Sequence, residues 1–172
     1  MKKDFIMPIL VLALICLVIA AALAFTNSIT EPIIAEAAAQ REDEARYEII
    51  PEAAGFELVR AEGIPSSVVE VYKTTNDVGY VFIVTASGYG GEIKVICGIG
   101  QDGKVIASKA LEQAETKGLG SKITEEPFSS QFNGIEIVQL EGVVAITGAT
   151  KSSEAYKAAI SDAFIAFGAI EK

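Results

Sequence analysis

Two glycine-rich stretches hold the residues best suited to chemistry. In the later one, Thr147, Gly148, Ala149 and Thr150 lead into Lys151, Ser152 and Ser153, immediately ahead of a helical pattern. This sets Thr150, Ser152 and Ser153 at a helix N-terminus, where free backbone N–H groups and the helix dipole favour a phosphate. Ordinary capping by Ser152 or Ser153 is the plainer use of the same residues, and the two uses are compatible. The stretch is not a Walker loop, because the Gly-Lys-Ser/Thr tail and its spacing are missing. The earlier stretch has two parts. Ser87, Gly88, Tyr89, Gly90 and Gly91 form the first, and Glu115, Thr116, Lys117, Gly118, Leu119, Gly120, Ser121 and Lys122 form the second. Glycine lets a backbone approach a ligand closely or adopt positive φ, although such glycines also serve as plain turns.

Composition narrows what these segments can do. The chain has 172 residues, 14 Lys+Arg against 23 Asp+Glu, a net charge of −9 and no histidine. Without imidazole there is no Ser-His-Asp or Cys-His nucleophile and no histidine-bearing zinc site. The acidic balance argues against nucleic acid, which needs clustered Lys and Arg. The 2 cysteines, Cys16 and Cys97, cannot hold an iron–sulfur cluster alone. A bound cofactor is therefore the expected source of any demanding chemistry.

The elements that must position these residues follow from periodicity. Lys2 and Lys3 precede an uncharged stretch from Phe5 to Thr30, longer than the roughly 20 residues that span a bilayer as a helix. A cleaved signal peptide ending near Ala22, Leu23 and Ala24 is the alternative, but the apolar run exceeds the ~7–15 residues of a signal core. The two lysines favour a cytoplasmic N-terminus, with the remainder outside. Cys97 then stands alone in an exported domain and reads as a buried small apolar residue. From Glu31 to Arg46 the chain is rich in Ala, Glu and Arg and reads as a helical stalk, ended by Pro51. The expected divisions are 1–30 for the N-terminus and anchor, 31–54 for the stalk and 55–172 for the domain.

Within that domain the period becomes two. Val68–Lys73 and Tyr80–Thr85 flank a turn cluster, and Glu92–Cys97 and Lys104–Lys109 flank Asp102 and Gly103, so two hairpins are expected. Ile135–Leu140 reads as a further short strand. Tyr156, Ile160, Ala163, Phe164 and Phe167 mark one face of a final helix, with Gly168 as its stop. The fold class is α+β: a transmembrane helix, then a mainly antiparallel sheet with flanking helices.

At these motifs the sequence resembles a known family. Thr147, Gly148, Ala149 and Thr150 resemble the Ser/Thr-Gly-Ala-Thr motif of FMN-binding domains whose flavin is joined through its phosphate to the last threonine. Glu115–Gly120, followed by Lys122, Pro127, Phe128, Gln131 and Phe132, resembles the Glu-Thr-Pro-Gly-Leu-Gly segment of the G subunit of the Rnf electron-transport complex. Ser87–Gly91 with Ile93, Lys94 and Val95 fits the same family, as does the single anchor. The C subunit of the sodium-pumping quinone reductase shares these motifs but is usually longer. The resemblance covers essentially the whole chain.

The resemblance implies a membrane-anchored flavoprotein that relays electrons in an ion-translocating ferredoxin:NAD oxidoreductase complex and is not catalytic alone. Thr150 would accept FMN from a separate Mg-dependent flavin transferase that uses FAD. Thr147, Gly148, Ala149, Ser152 and Ser153 would surround the phosphate. Tyr89, Leu119 and the backbones of Gly88, Gly90, Gly118 and Gly120 would wall the ring. Glu115 and Thr116 would bond the flavin or lie at the surface, and Lys122 would face the reduced flavin or solvent. The expected partners are the other membrane subunits, the transferase and the membrane itself. Two positions depart from the family pattern: Val144 stands where Asp is common, with Glu141 as a nearby substitute, and Lys117 stands where Pro is common. A membrane-anchored module for a small ligand, or a structural subunit without flavin, are the competing readings.

Overall fold

The computed structural model describes residues 2–171. The uncharged N-terminal run lies in one helix, α1 (Lys2–Ile49), which contains Pro8 and Pro32. The chain divides into two units, one ending at Arg41 and the other starting at Glu42. In the first unit, apolar side chains from Ile6 to Phe25 are exposed on every face of the helix, a pattern suited to lipid rather than to water. The hydroxyls of Thr26, Ser28 and Thr30 bond to carbonyls of their own helix (2.8–3.1 Å). They thereby satisfy themselves without solvent. This helix is long and apolar enough to cross a membrane.

The second unit is built on an antiparallel meander of five strands: β1 (Phe56–Leu58), β2 (Val68–Thr74), β3 (Gly79–Ser87), β4 (Glu92–Gly100) and β5 (Val105–Gln113), in that order across the sheet. Both expected hairpins form. In the β2–β3 turn the buried Thr74 hydroxyl donates to Gly79 O and accepts from the N–H groups of Val78 and Gly79. Asp77 there takes φ 54°, a left-handed conformation that Asp tolerates better than most residues. Gly103 supplies the positive φ of the β4–β5 turn.

Strand β3 is buried on both faces from Gly79 to Val84, which accounts for its unbroken apolar run. Tyr80, Phe82 and Val84 face the larger core, and Val81 and Ile83 face the smaller. The smaller core is closed by the end of α1 through Ala45 and Ile49, together with Ile50. Gly98 permits that approach, because a Cβ there would collide with Ile49. The larger core is closed by α3 (Thr150–Ile170), whose Tyr156, Ala159, Ile160 and Ala163 are fully buried. Tyr156 packs beside Phe128 of the short α2 (Glu126–Ser129) and beside Phe132, at 5.4 and 5.0 Å between ring centres. Its hydroxyl donates to Ser108 Oγ at 3.0 Å.

Three local expectations are corrected. Residues Ile137–Gly142 form 3-10 turns and no strand. The alternation there mimics a strand, but Glu136 and Gln139 cap each other reciprocally and wind the chain instead. Ile137 and Val138 consequently stay exposed. Gly168 lies inside α3, which continues to Ile170. Nothing there obliges a left-handed residue, since positive φ values at glycine occur elsewhere. Finally, Ala149 is the N-cap of α3, without a side-chain cap. Ser152 and Ser153 sit inside the first turns, and their hydroxyls bond to other partners.

Candidate functional site

Thr150 is the first residue of α3, and two side chains fix the loop that delivers it. The Gln131 amide grips the backbone of Val144, accepting from its N–H (3.0 Å) and donating to its carbonyl (3.3 Å). Ser153 Oγ accepts from Ile146 N–H and donates to Ala149 O, both at 3.0 Å. Gly148 completes the approach at φ 81°, where a Cβ would lie only 3.2 Å from Leu119 Cδ1. The side chain of Val144 contributes nothing to this scaffold and is exposed. Its backbone, not its side chain, shapes the loop.

Next to Thr150 lies a cavity of about 440 Å³, lined by Tyr89, Glu115, Thr116, Leu119 and Gly120 on one side and by Gly148–Ser152 on the other. A volume of this size suits a small-molecule ligand. Thr150 is exposed there, whereas Ser152 is buried and donates to Glu115 Oε2 at 2.6 Å. Glu115 Oε1 accepts from the N–H groups of Tyr89 (2.8 Å) and Gly90 (3.1 Å). Glu115 is only 8% exposed, so it is no surface acid.

The expected residues divide accordingly. Thr150, Gly148, Ala149, Ser152, Tyr89, Glu115, Thr116, Leu119 and Gly120 converge on the cavity. Gly90 meets it only through its N–H bond to Glu115. Ser153 is buried behind it as a loop pin. Gly118 turns the segment at φ 77°, and its N–H donates to Ser121 Oγ. Thr147 is outside the lining set. Lys122 lines a separate groove of about 240 Å³ with Glu125, Pro127, Phe128, Gln131 and Val144–Ile146. Lys151 is an addition: it lines the main cavity and brings the cation that Lys122 does not. Its place directly after Thr150 was the available signal. Cys97 is fully buried, and burial pushes its thiol well above the usual range. It is an inert core residue.

Two family models match this chain, one on the membrane helix and one around the cavity. The FMN-binding domain family matches residues 88–164, which include the cavity, and the RnfG N-terminal region matches residues 6–49. The G subunit of the Na(+)-translocating ferredoxin:NAD(+) oxidoreductase complex of Acetobacterium woodii is 34% identical, the match covering 88% of this chain and 86% of that one. The G subunit of the ion-translocating oxidoreductase complex of Methanosarcina acetivorans is 33% identical over 94% of both. The chain belongs to the RnfG family. It is thus a membrane-anchored flavoprotein of the α+β class, and FMN is its cofactor. A third relative, from Clostridium ljungdahlii, is named as the G subunit of a proton-translocating ferredoxin:NAD(+) oxidoreductase complex and is 26% identical over 88% of this chain. Relatives named for either ion therefore resemble this RnfG family member across most of its length.

The cavity fits such a cofactor. Tyr89 and Leu119 offer apolar surface for a planar ring, the N-terminus of α3 offers unpaired N–H groups for a phosphate, and Lys151 adds a positive charge. The hydroxyl of Thr150 stands beside that N-terminus.

Proposed function

We propose that this chain is an electron relay whose FMN is joined by a phosphoester to Thr150, within an ion-translocating ferredoxin:NAD oxidoreductase complex. The observation that carries the reading is the exposed Thr150 at the first turn of α3, on the same cavity as Tyr89 and Leu119. Of the hydroxyl residues in this segment, Ser152 and Ser153 are committed to Glu115 and to the loop, and Thr147 is not a lining residue. In maturation a flavin transferase uses FAD: the Thr150 oxygen takes the FMN phosphate, its proton is lost and AMP leaves. The bound flavin supplies the redox chemistry. The protein's part is to hold it. Tyr89 and Leu119 flank the ring, and the α3 N-terminus with Lys151 balances the phosphate charge. A covalent tether also keeps the flavin at high local concentration where it would otherwise be lost.

The proposed orientation is Lys2 and Lys3 in the cytoplasm and the flavin domain outside. The domain relays electrons between neighbouring subunits and does not oxidise NADH or ferredoxin unaided. The test of the attachment is Thr150→Ala co-expressed with the transferase. The denatured variant should show no flavin fluorescence in a gel, while Thr150→Ser keeps some. Full fluorescence from Thr150→Ala would overturn the assignment.

A further inference from the structure

The cavity wall that carries Tyr89 has little packing of its own. Tyr89 is 73% exposed, so neighbouring side chains do not fix the ring. Its main chain is fixed instead. The N–H groups of Tyr89 and Gly90 both donate to Glu115 Oε1, and Ser152 Oγ donates to Glu115 Oε2 from the first turns of α3. Every one of these partners is a donor, which is what a carboxylate acting only as an acceptor requires. Glu115 is in turn seated by its own N–H, which donates to Gln113 Oε1 at 2.6 Å.

The surrounding glycines follow from this carboxylate. A Cβ on Gly88 would collide with Glu115 Oε1. A Cβ on Gly120 would lie 2.7 Å from Glu115 Oε2 and 2.8 Å from Ser152 Oγ. A Cβ on Gly90 would strike the carbonyl of Ala114. Gly88, Gly90 and Gly120 are thus small because the chain closes tightly around Glu115, whatever else the cavity holds.

We propose that Glu115 is a positioning residue for the flavin: its carboxylate latches the Tyr89 loop to the start of α3 and so holds the Tyr89 ring as a wall of the cavity. The proposal rests on the assignment of this cavity to the flavin. It differs from a role in attachment, which belongs to Thr150. Glutamine preserves the shape and the Oε1 acceptor, and its amide can donate to Ser152 Oγ. Alanine removes the latch.

The test uses the full chain, flavinylated by the transferase and purified in detergent. Its readout is the flavin emission of the native protein relative to the same sample denatured, because an aromatic ring against a flavin quenches its emission. Tyr89→Ala and Glu115→Ala should each raise native emission severalfold. The double variant should match either single one, since the ring has already left its place. Glu115→Gln should restore quenching, each native emission being taken per covalent flavin measured in the denatured gel. Wild-type quenching in Glu115→Ala, or additive effects in the double variant, would overturn the latch. Should Glu115→Ala fail to fold, Ser152→Ala removes only the Oε2 donor and should give a smaller rise. No rise there overturns the latch equally. Denatured wild-type protein without fluorescence would sink the flavin attachment itself, a failure distinct from that of the latch.

Discussion

Lys151 lies one residue past Thr150 and lines the same cavity. Its charge is placed to favour a phosphate at the α3 N-terminus. Lys151→Glu should slow covalent flavin incorporation by about threefold to fivefold, the scale of a charge reversal near a helix end. A time course of in-gel fluorescence with transferase and FAD measures this, and an unchanged rate would remove Lys151 from the site. Gly148 has a different task. At φ 81° and close to Leu119, Gly148→Ala should lower stability by about 1–2 kcal/mol, seen in thermal unfolding. Gly148, Ala149, Thr150 and Ser152, which line the cavity, are legible in the sequence because they fall within one short segment. Glu115 was legible as a candidate but not as a latch. Its donors Tyr89 and Ser152 lie 26 and 37 positions away in the chain, a pairing that only the fold creates. Lys122 takes the second of its two expected places: Leu119 and Gly120 line the cavity, whereas Lys122 is exposed on the separate groove.

Among the elements, α3 combines two jobs. Its first turn meets the cavity and its apolar face closes the larger core. Ile160 is fully buried, so Ile160→Ala should cost about 2–5 kcal/mol. Ile165 is 50% exposed, and Ile165→Ala should stay within about 0.5 kcal/mol of wild type. Urea unfolding of the full chain in detergent separates the two. The end of α1 is tied to the sheet by Lys94, whose ammonium lies 2.5 Å from Glu42. That hydrogen bond raises the lysine pKa. Because the folded value is the higher one, the stabilisation is complete below the ordinary lysine pKa of about 10.4 and disappears as pH rises through the folded value. A double-mutant cycle with Glu42→Gln and Lys94→Met should give a coupling of about 0.5–1 kcal/mol at pH 7, and no change between pH 6 and 8. The hairpins were readable because a turn is decided by a few adjacent residues, as Asp102 and Gly103 show. Ile135–Leu140 was not, since the mutual capping of Glu136 and Gln139 competes with an alternation that looks the same in either state.

At the scale of the molecule, the sequence offers no imidazole and Cys97 is fully buried, so neither a histidine nor that thiol takes part in chemistry at the cavity. In the proposed relay, electron transfer by the domain depends on its partner subunits. Stopped-flow mixing of the flavinylated chain with NADH should show no rapid bleaching of the flavin, in contrast to the assembled complex. Rapid oxidation of NADH by the chain alone would mark it as a free-standing reductase. A reporter active only in the cytoplasm, fused after Lys172, should stay silent if the proposed orientation holds. The sheet also carries a temporal consequence. Each strand pairs only with its immediate predecessor and successor in the chain, and such nearest-neighbour pairing closes short loops and zips quickly. All five strands, ending at Gln113, therefore precede α3 in the order in which the chain is made. Thr150 arrives with the final helix, and that helix also brings Ser152 to Glu115. The hydroxyl proposed to receive the flavin thus comes into its setting after the sheet, so a chain cut before α3 keeps every strand and lacks both the attachment site and one partner of Glu115.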